Sequence, residues 1–143
     1  MSQPIFKTHN VSILLYHIVC PAKYRRAIFN ESVELVLKEI CQDIQERYEI
    51  EFLEIGTDSN HAHFFVQSVP MNSPKKIVQT IKSITARELF RRCPEIKKQL
   101  WGSALWTEGY FVSTVGQHGT EDMIAKYVRE QCGQTQTTQL SLF

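Results

Sequence analysis

The 143 residues predict an α+β fold, a ferredoxin-like (RRM-like) β-α-β-β-α-β unit. In that arrangement a four-stranded antiparallel sheet carries two helices on one face. An extra C-terminal helix follows here. Three observations predict it. Four short runs are rich in β-branched and aromatic residues, and helical periodicity fills the long gaps between them. The second and third runs are separated only by Thr57-Asp58-Ser59-Asn60, a turn by composition, so they read as a hairpin. Pro21, Pro70 and Pro94 fall between the runs. The length suits one domain, 1–133, with a polar tail at 134–143.

Val11–Cys20 (VSILLYHIVC) reads as the first buried strand, ended by Pro21. Asn30 can cap a helix to Tyr48, with Val33, Leu35, Val36, Ile40, Ile44 and Tyr48 recurring at helical steps. Ile50–Gly56 and His61–Val69 form the hairpin strands. Ser73-Pro74 opens a second helix, whose apolar side is Ile77, Ile81, Ile84, Leu89 and Phe90 and which Pro94 ends. Residues 95–106 read as a loop with two tryptophans, and Thr107–Val115 as the fourth strand. A last helix spans Thr120–Cys132, with Thr120 as its cap, acidic residues in its first turn and Gly133 beyond it.

The formal net charge is only +1, which excludes a polybasic protein that binds nucleic acid by bulk charge. It also excludes an acidic disordered chain. The average hides segregation: residues 1–30, 31–60, 61–100 and 101–143 carry +4, −7, +6 and −2. Such a chain can present a basic face and an acidic one. Cys20, Cys41, Cys93 and Cys132 form no C-x-x-C pair, so reduced thiols are expected. No signal peptide opens the chain, and Val11–Cys20 is about half of the ~20 residues that a membrane span needs, so no membrane partner and a cytoplasmic location are expected.

Three constellations could carry chemistry. In His61-Ala62-His63, alternate strand residues share a face, so two imidazoles stand side by side as two ligands of one divalent ion. On spacing alone, two histidines on the solvent face of a strand is the commoner explanation. Tyr127 and Gln131 lie one helical turn apart, a phenol nucleophile beside an amide oxygen that could complete a metal shell. Tyr127 could instead pack on the sheet with its hydroxyl wet. The third is basic: Lys23, Arg25 and Arg26 around Tyr24, a base-stacking or phosphate-contacting candidate, and the helix cations Lys82, Arg87, Arg91 and Arg92. A solvated helix face usually mixes signs, and this one is almost all basic, as a phosphate backbone would require.

These pieces together resemble the small single-tyrosine transposases of the insertion-sequence-200 group. Asn60-His61-Ala62-His63-Phe64-Phe65-Val66 resembles the group's HUH motif, with Ala62 small where a larger apolar residue is common. Trp106–Gly116 (WTEGYFVSTVG) resembles its W-x-x-G-Y-F-V-x-T-V-G block, Lys23–Arg26 its K-Y-R-R signature, and Tyr127-x-x-x-Gln131 its catalytic helix. The four motifs fall in the family's order over residues 8 to 133.

The resemblance implies a dimeric, metal-dependent nuclease and strand-transferase acting on single-stranded DNA hairpins at element ends. It implies a prokaryotic, nucleoid-associated setting. His61, His63 and Gln131 would hold Mg²⁺ or Mn²⁺, and Tyr127 would form a 5′-phosphotyrosine. The tyrosine helix can reach across such a dimer to share active sites, with Gly116 and Gly119 as a hinge. Two alternatives stand beside this reading: a non-catalytic ferredoxin-like nucleic-acid-binding module, and a domesticated relative acting on host repetitive hairpins. Gln139, Leu140, Leu142 and Phe143 in QLSLF resemble the peptide by which bacterial proteins dock on the replication sliding clamp.

Overall fold

The computed structural model describes residues 3–102 and 104–116. The expected last helix, with Tyr127 and Gln131, and the tail lie outside the described residues. The chain opens with a small antiparallel hairpin, β1 (Ile5–Phe6) and β2 (Val11–Ser12). Strand β3 (Leu14–Pro21) is followed by a single 3₁₀ turn at Lys23–Arg25 and by helix α1 (Glu31–Arg47). The hairpin β4 (Ile50–Asp58) and β5 (His61–Ser68) leads to α2 (Pro74–Arg92), a short α3 (Pro94–Gln99) and β6 (Phe111–Val115).

The main sheet runs β4-β5-β3-β6, and every pairing is antiparallel. This is the strand order of the expected split β-α-β arrangement. One continuous core joins the helices to one sheet face. Tyr16, Ile18 and Cys20 of β3 and Ala62, Phe64 and Val66 of β5 meet Val33, Leu37 and Ile40 of α1 and Ile77, Ile81 and Leu89 of α2. Residues of the opposite face, including Leu15, His17, Val19, His63, Phe65 and Gln67, are buried as well. Every residue of β5 is therefore buried, the polar His61, His63, Gln67 and Ser68 included.

Local chemistry sets the boundaries. Asn30 Oδ1 accepts from the Val33 amide (2.9 Å), and Ser73 Oγ accepts from the Lys76 amide (3.1 Å), each satisfying an N-terminal helix donor. In β4, Leu53 is an extra residue between Phe52, opposite Val66, and Glu54, opposite Phe65. This bulge shifts the alternation by one, so that Ile50, Phe52 and Ile55 all serve the same core.

Four expectations change in detail. The first strand is broken at Ile13, and Pro21 is its last residue rather than a residue beyond it. A strand end tolerates proline because no further ladder donor is needed there. Residues 94–99 form a helix, not loop, since Pro94 at its first position needs no N–H. Six residues are too few to show a period. The fourth strand begins at Phe111, and before it Trp106 alone bridges to Ala22. Leu35 on α1 (63% exposed) and Tyr48 just beyond its end (43%) face solvent, and Leu37 takes the core position instead.

Candidate metal and nucleic-acid site

His61 and His63 project from the start of β5 onto the sheet face opposite the helices, where they sit across from Pro21 and Val19. Both are buried, so they are not histidines on a solvent face. Their rings meet edge to face with centroids 4.7 Å apart. His61 Nδ1 lies 2.8 Å from Asn60 Oδ1. An amide oxygen only accepts, so Nδ1 carries the proton and Nε2 the lone pair. His63 Nδ1 lies 3.3 Å from His17 Nε2, and those two rings stack with centroids 5.5 Å apart. With His63 as donor to His17, its Nε2 also presents a lone pair. Among the described residues, neither His61 Nε2 nor His63 Nε2 has a hydrogen-bond partner, and both are buried.

Burial keeps these rings neutral. His63 is lowered to about 3, by desolvation first and then by the charges of His61 and His17. His17 is lowered to about 4 by desolvation. His61 is lowered by desolvation, with Asp58 opposing and Arg25 reinforcing. Two neutral imidazoles with ring centroids 4.7 Å apart, whose Nε2 atoms find no partner among the described residues, fit a divalent cation, and each has its other nitrogen anchored, as metal-binding histidines require. Among the described residues, no group of three His, Cys, Asp or Glu forms a complete metal shell. Gln131, the expected third ligand, lies outside them, as does Tyr127.

The basic residues divide into two sets. Lys23, Tyr24, Arg25 and Arg26 sit on the turn after β3, tied to the site's end of the sheet. The Ala22 amide donates to Asn60 O (2.8 Å), and the Lys23 amide donates to Leu105 O (2.8 Å). The α2 cations are more engaged. Lys82 Nζ donates to Thr107 O (2.7 Å) and Glu108 O (3.3 Å). Arg92 contacts Glu88 (3.2 Å), Asp43 (3.3 Å) and Glu39 (3.8 Å). Arg91 binds Glu88 at 2.8 Å, and Arg87 lies 3.8 Å from it, although both arginine side chains remain 66% exposed. The acidic helix α1 and the basic helix α2 thus lie side by side, and their opposite charges meet along the seam rather than on opposite sides of the molecule.

Two residues escaped the sequence reading. His17 was hidden inside an apolar strand, and only its shared parity with His63 across paired strands could have pointed to it. Trp101 stands in the segment read as a loop with two tryptophans and was given no role there, yet its ring centroid is 5.5 Å from that of Tyr24, and the Arg26 guanidinium lies over it at 4.7 Å.

Comparison with known proteins defines the class. The sequence profile of the family described as "Transposase IS200 like" matches residues 10–131. The chain belongs to this family. It is 30% identical over 118 residues to the ISDra2 transposase TnpA of Deinococcus radiodurans, covering 82% of this chain and 84% of that protein. It is 26% identical over 116 residues to the transposase of insertion sequence element IS200 from Salmonella typhimurium, covering 81% and 75%. A crystal structure from D. radiodurans R1, assigned as a transposase, superposes with a TM-score of 0.72 at 28% identity, covering 89% of this chain and 97% of that one. A REP-associated tyrosine transposase bound to a REP hairpin shares the fold, with a TM-score of 0.59 at 9% identity, covering 90% and 70%. DNA binding and DNA transposition are therefore its functional class. Among the described residues no helix is long and apolar enough to cross a membrane.

Proposed function

We propose that the chain cuts and rejoins single-stranded DNA hairpins through a covalent tyrosine intermediate. The observation that carries this reading is the pair of buried Nε2 atoms of His61 and His63, which have no partner among the described residues. Atoms of this kind are costly to a fold unless something binds them. With Gln131, they would hold Mg²⁺ or Mn²⁺. When bound, such a cation polarises a phosphate oxygen and offsets the charge that builds during phosphoryl transfer. Asn60 and His17 fix the orientation of the two imidazoles. Tyr127 supplies the nucleophile: its phenol gives up its proton to solvent as its oxygen bonds to phosphorus, the P–O3′ bond breaks, and the departing 3′ oxygen takes up a proton, leaving a 3′-OH. The 5′-phosphotyrosine keeps the phosphodiester energy, so attack by a new 3′-OH rejoins the strand without ATP.

The partner is a hairpin with unpaired bases, which suits the exposed Tyr24 beside Lys23, Arg25 and Arg26. Arg87 and Arg91 offer exposed cations to its phosphates, and Lys82 and Arg92 support that surface from its inner side. The working unit is a homodimer with active sites shared between subunits. The tail residues Gln139, Leu140, Leu142 and Phe143 dock on the sliding clamp, a reading supported by their peptide resemblance. The deciding experiment incubates the protein with labelled hairpin DNA and Mg²⁺ or Mn²⁺, followed by a denaturing gel. A covalent adduct, lost in Tyr127→Phe and in His61→Ala, is expected. Binding without adduct under either metal would replace this reading with a non-catalytic binding module.

A further inference from the structure

The turn bearing Tyr24 and the end of α3 are both built in backbone conformations that side chains disfavour. Tyr24 (φ 58°), Arg25 (φ 51°) and Trp101 (φ 53°) all occupy the left-handed region. At Trp101 the departure has a specific form. The Trp101 amide donates to Lys98 O (3.1 Å) and the Gly102 amide to Lys97 O (2.9 Å). This is a Schellman cap, and its left-handed position normally belongs to glycine. Here that position holds the largest side chain, although a glycine stands next to it at 102.

The ring gains little from burial to offset that strain. Trp101 is 70% exposed and Tyr24 57%. What it gains is company: Tyr24 at 5.5 Å, Arg26 over its own ring at 4.7 Å, and Lys23 over Tyr24 at 5.6 Å. Strain retained for an exposed ring points to function rather than to folding. The patch also adjoins the histidine site, because the Ala22 amide beside the turn donates to Asn60 O next to His61.

We propose that Trp101 and Tyr24 form a stacking site for an unpaired nucleobase of the DNA strand, and that Lys23 and Arg26 meet the phosphates on either side of it. This rests on the single-stranded DNA reading above and adds Trp101 to it. Aromatic faces accept any base, so the site grips and registers the strand without reading sequence, and it excludes bases already paired in a duplex.

Trp101→Gly separates the ring from the fold, because glycine suits the cap. The full-length protein is titrated in EDTA, where no cleavage intervenes, with a hairpin bearing an unpaired tail and with the same hairpin blunt-ended. For Trp101→Gly we expect a urea midpoint at or above that of wild type and about ten-fold weaker binding of the tailed hairpin, with blunt-hairpin binding unchanged. Trp101→Phe should restore most of the loss. The wild-type protein should show quenching of its exposed tryptophan on binding the tail, while the buried Trp106 is unaffected. Equal affinity of Trp101→Gly and wild type for the tailed hairpin would overturn the stacking site alone. Failure of the wild type to bind either hairpin would overturn the single-stranded DNA reading with it.

Discussion

Lowering the pH from 7.5 to 5.5 in the presence of EDTA should destabilise the protein strongly, through His17 and His63. In the unfolded chain each imidazole protonates near its ordinary value of about 6.5. In the folded protein they stay neutral, at about 4 for His17 and about 3 for His63. A depressed pKa contributes stability that is present above the unfolded value and lost as pH falls towards the folded one. One unit below 6.5, each unfolded imidazole gains about 1.4 kcal/mol of protonation that the folded state does not share. Two such groups make about 3 kcal/mol at pH 5.5, and His61, also lowered, acts in the same direction. Ordinary carboxylates remain ionised over this interval, so they contribute little to the change. With a urea dependence of about 2 kcal/mol per molar, the midpoint should fall by about 1.5 M. Replacing His17 by Leu removes its share and should roughly halve the difference. Equal midpoints at the two pH values would refute the claim that these imidazoles are held buried and neutral.

Two further measurements test the packing. Leu37→Ala should cost about 2–5 kcal/mol in a denaturation curve, because Leu37 is fully buried between α1 and the sheet, whereas Leu35→Ala should change stability by less than about 0.5 kcal/mol. Trp106 Nε1 donates to Thr85 Oγ1 (3.0 Å), and Thr85 Oγ1 donates to Ile81 O (2.6 Å). Thr85→Val should therefore cost about 1–3 kcal/mol by stranding a buried indole N–H, a loss that Trp106→Phe in the same background should partly recover.

Much of the architecture was legible because local signals agreed. Asn30 and Ser73 both cap the helices they were expected to open, and the hairpin at 50–68 follows from its strand composition and turn. Where the reading failed, the deciding contact was distant in sequence. Leu35 and Leu37 are equally apolar, and only the position of the sheet selects between them. Pro94 reads locally as a stop, yet it also starts a new helix. The His61–His63 pair could be placed on one strand face from spacing, but its burial depends on cover from beyond β5. His17 became visible only through pairing with a strand more than forty residues away. The charge pattern was correct in sequence and misleading in space, since Arg92 reaches from the basic helix to Asp43 and Glu39 of the acidic one.

The placement of the two candidate ligands on a wholly buried central strand sets activity against stability within a few residues. On the proposed reading, the Nε2 atoms that the chemistry would need open are buried atoms that folding would gain by closing off. Substitutions that make this strand more comfortable should therefore be easy to find and should disarm the protein. An active lineage is held to a less stable sheet than its backbone could otherwise support.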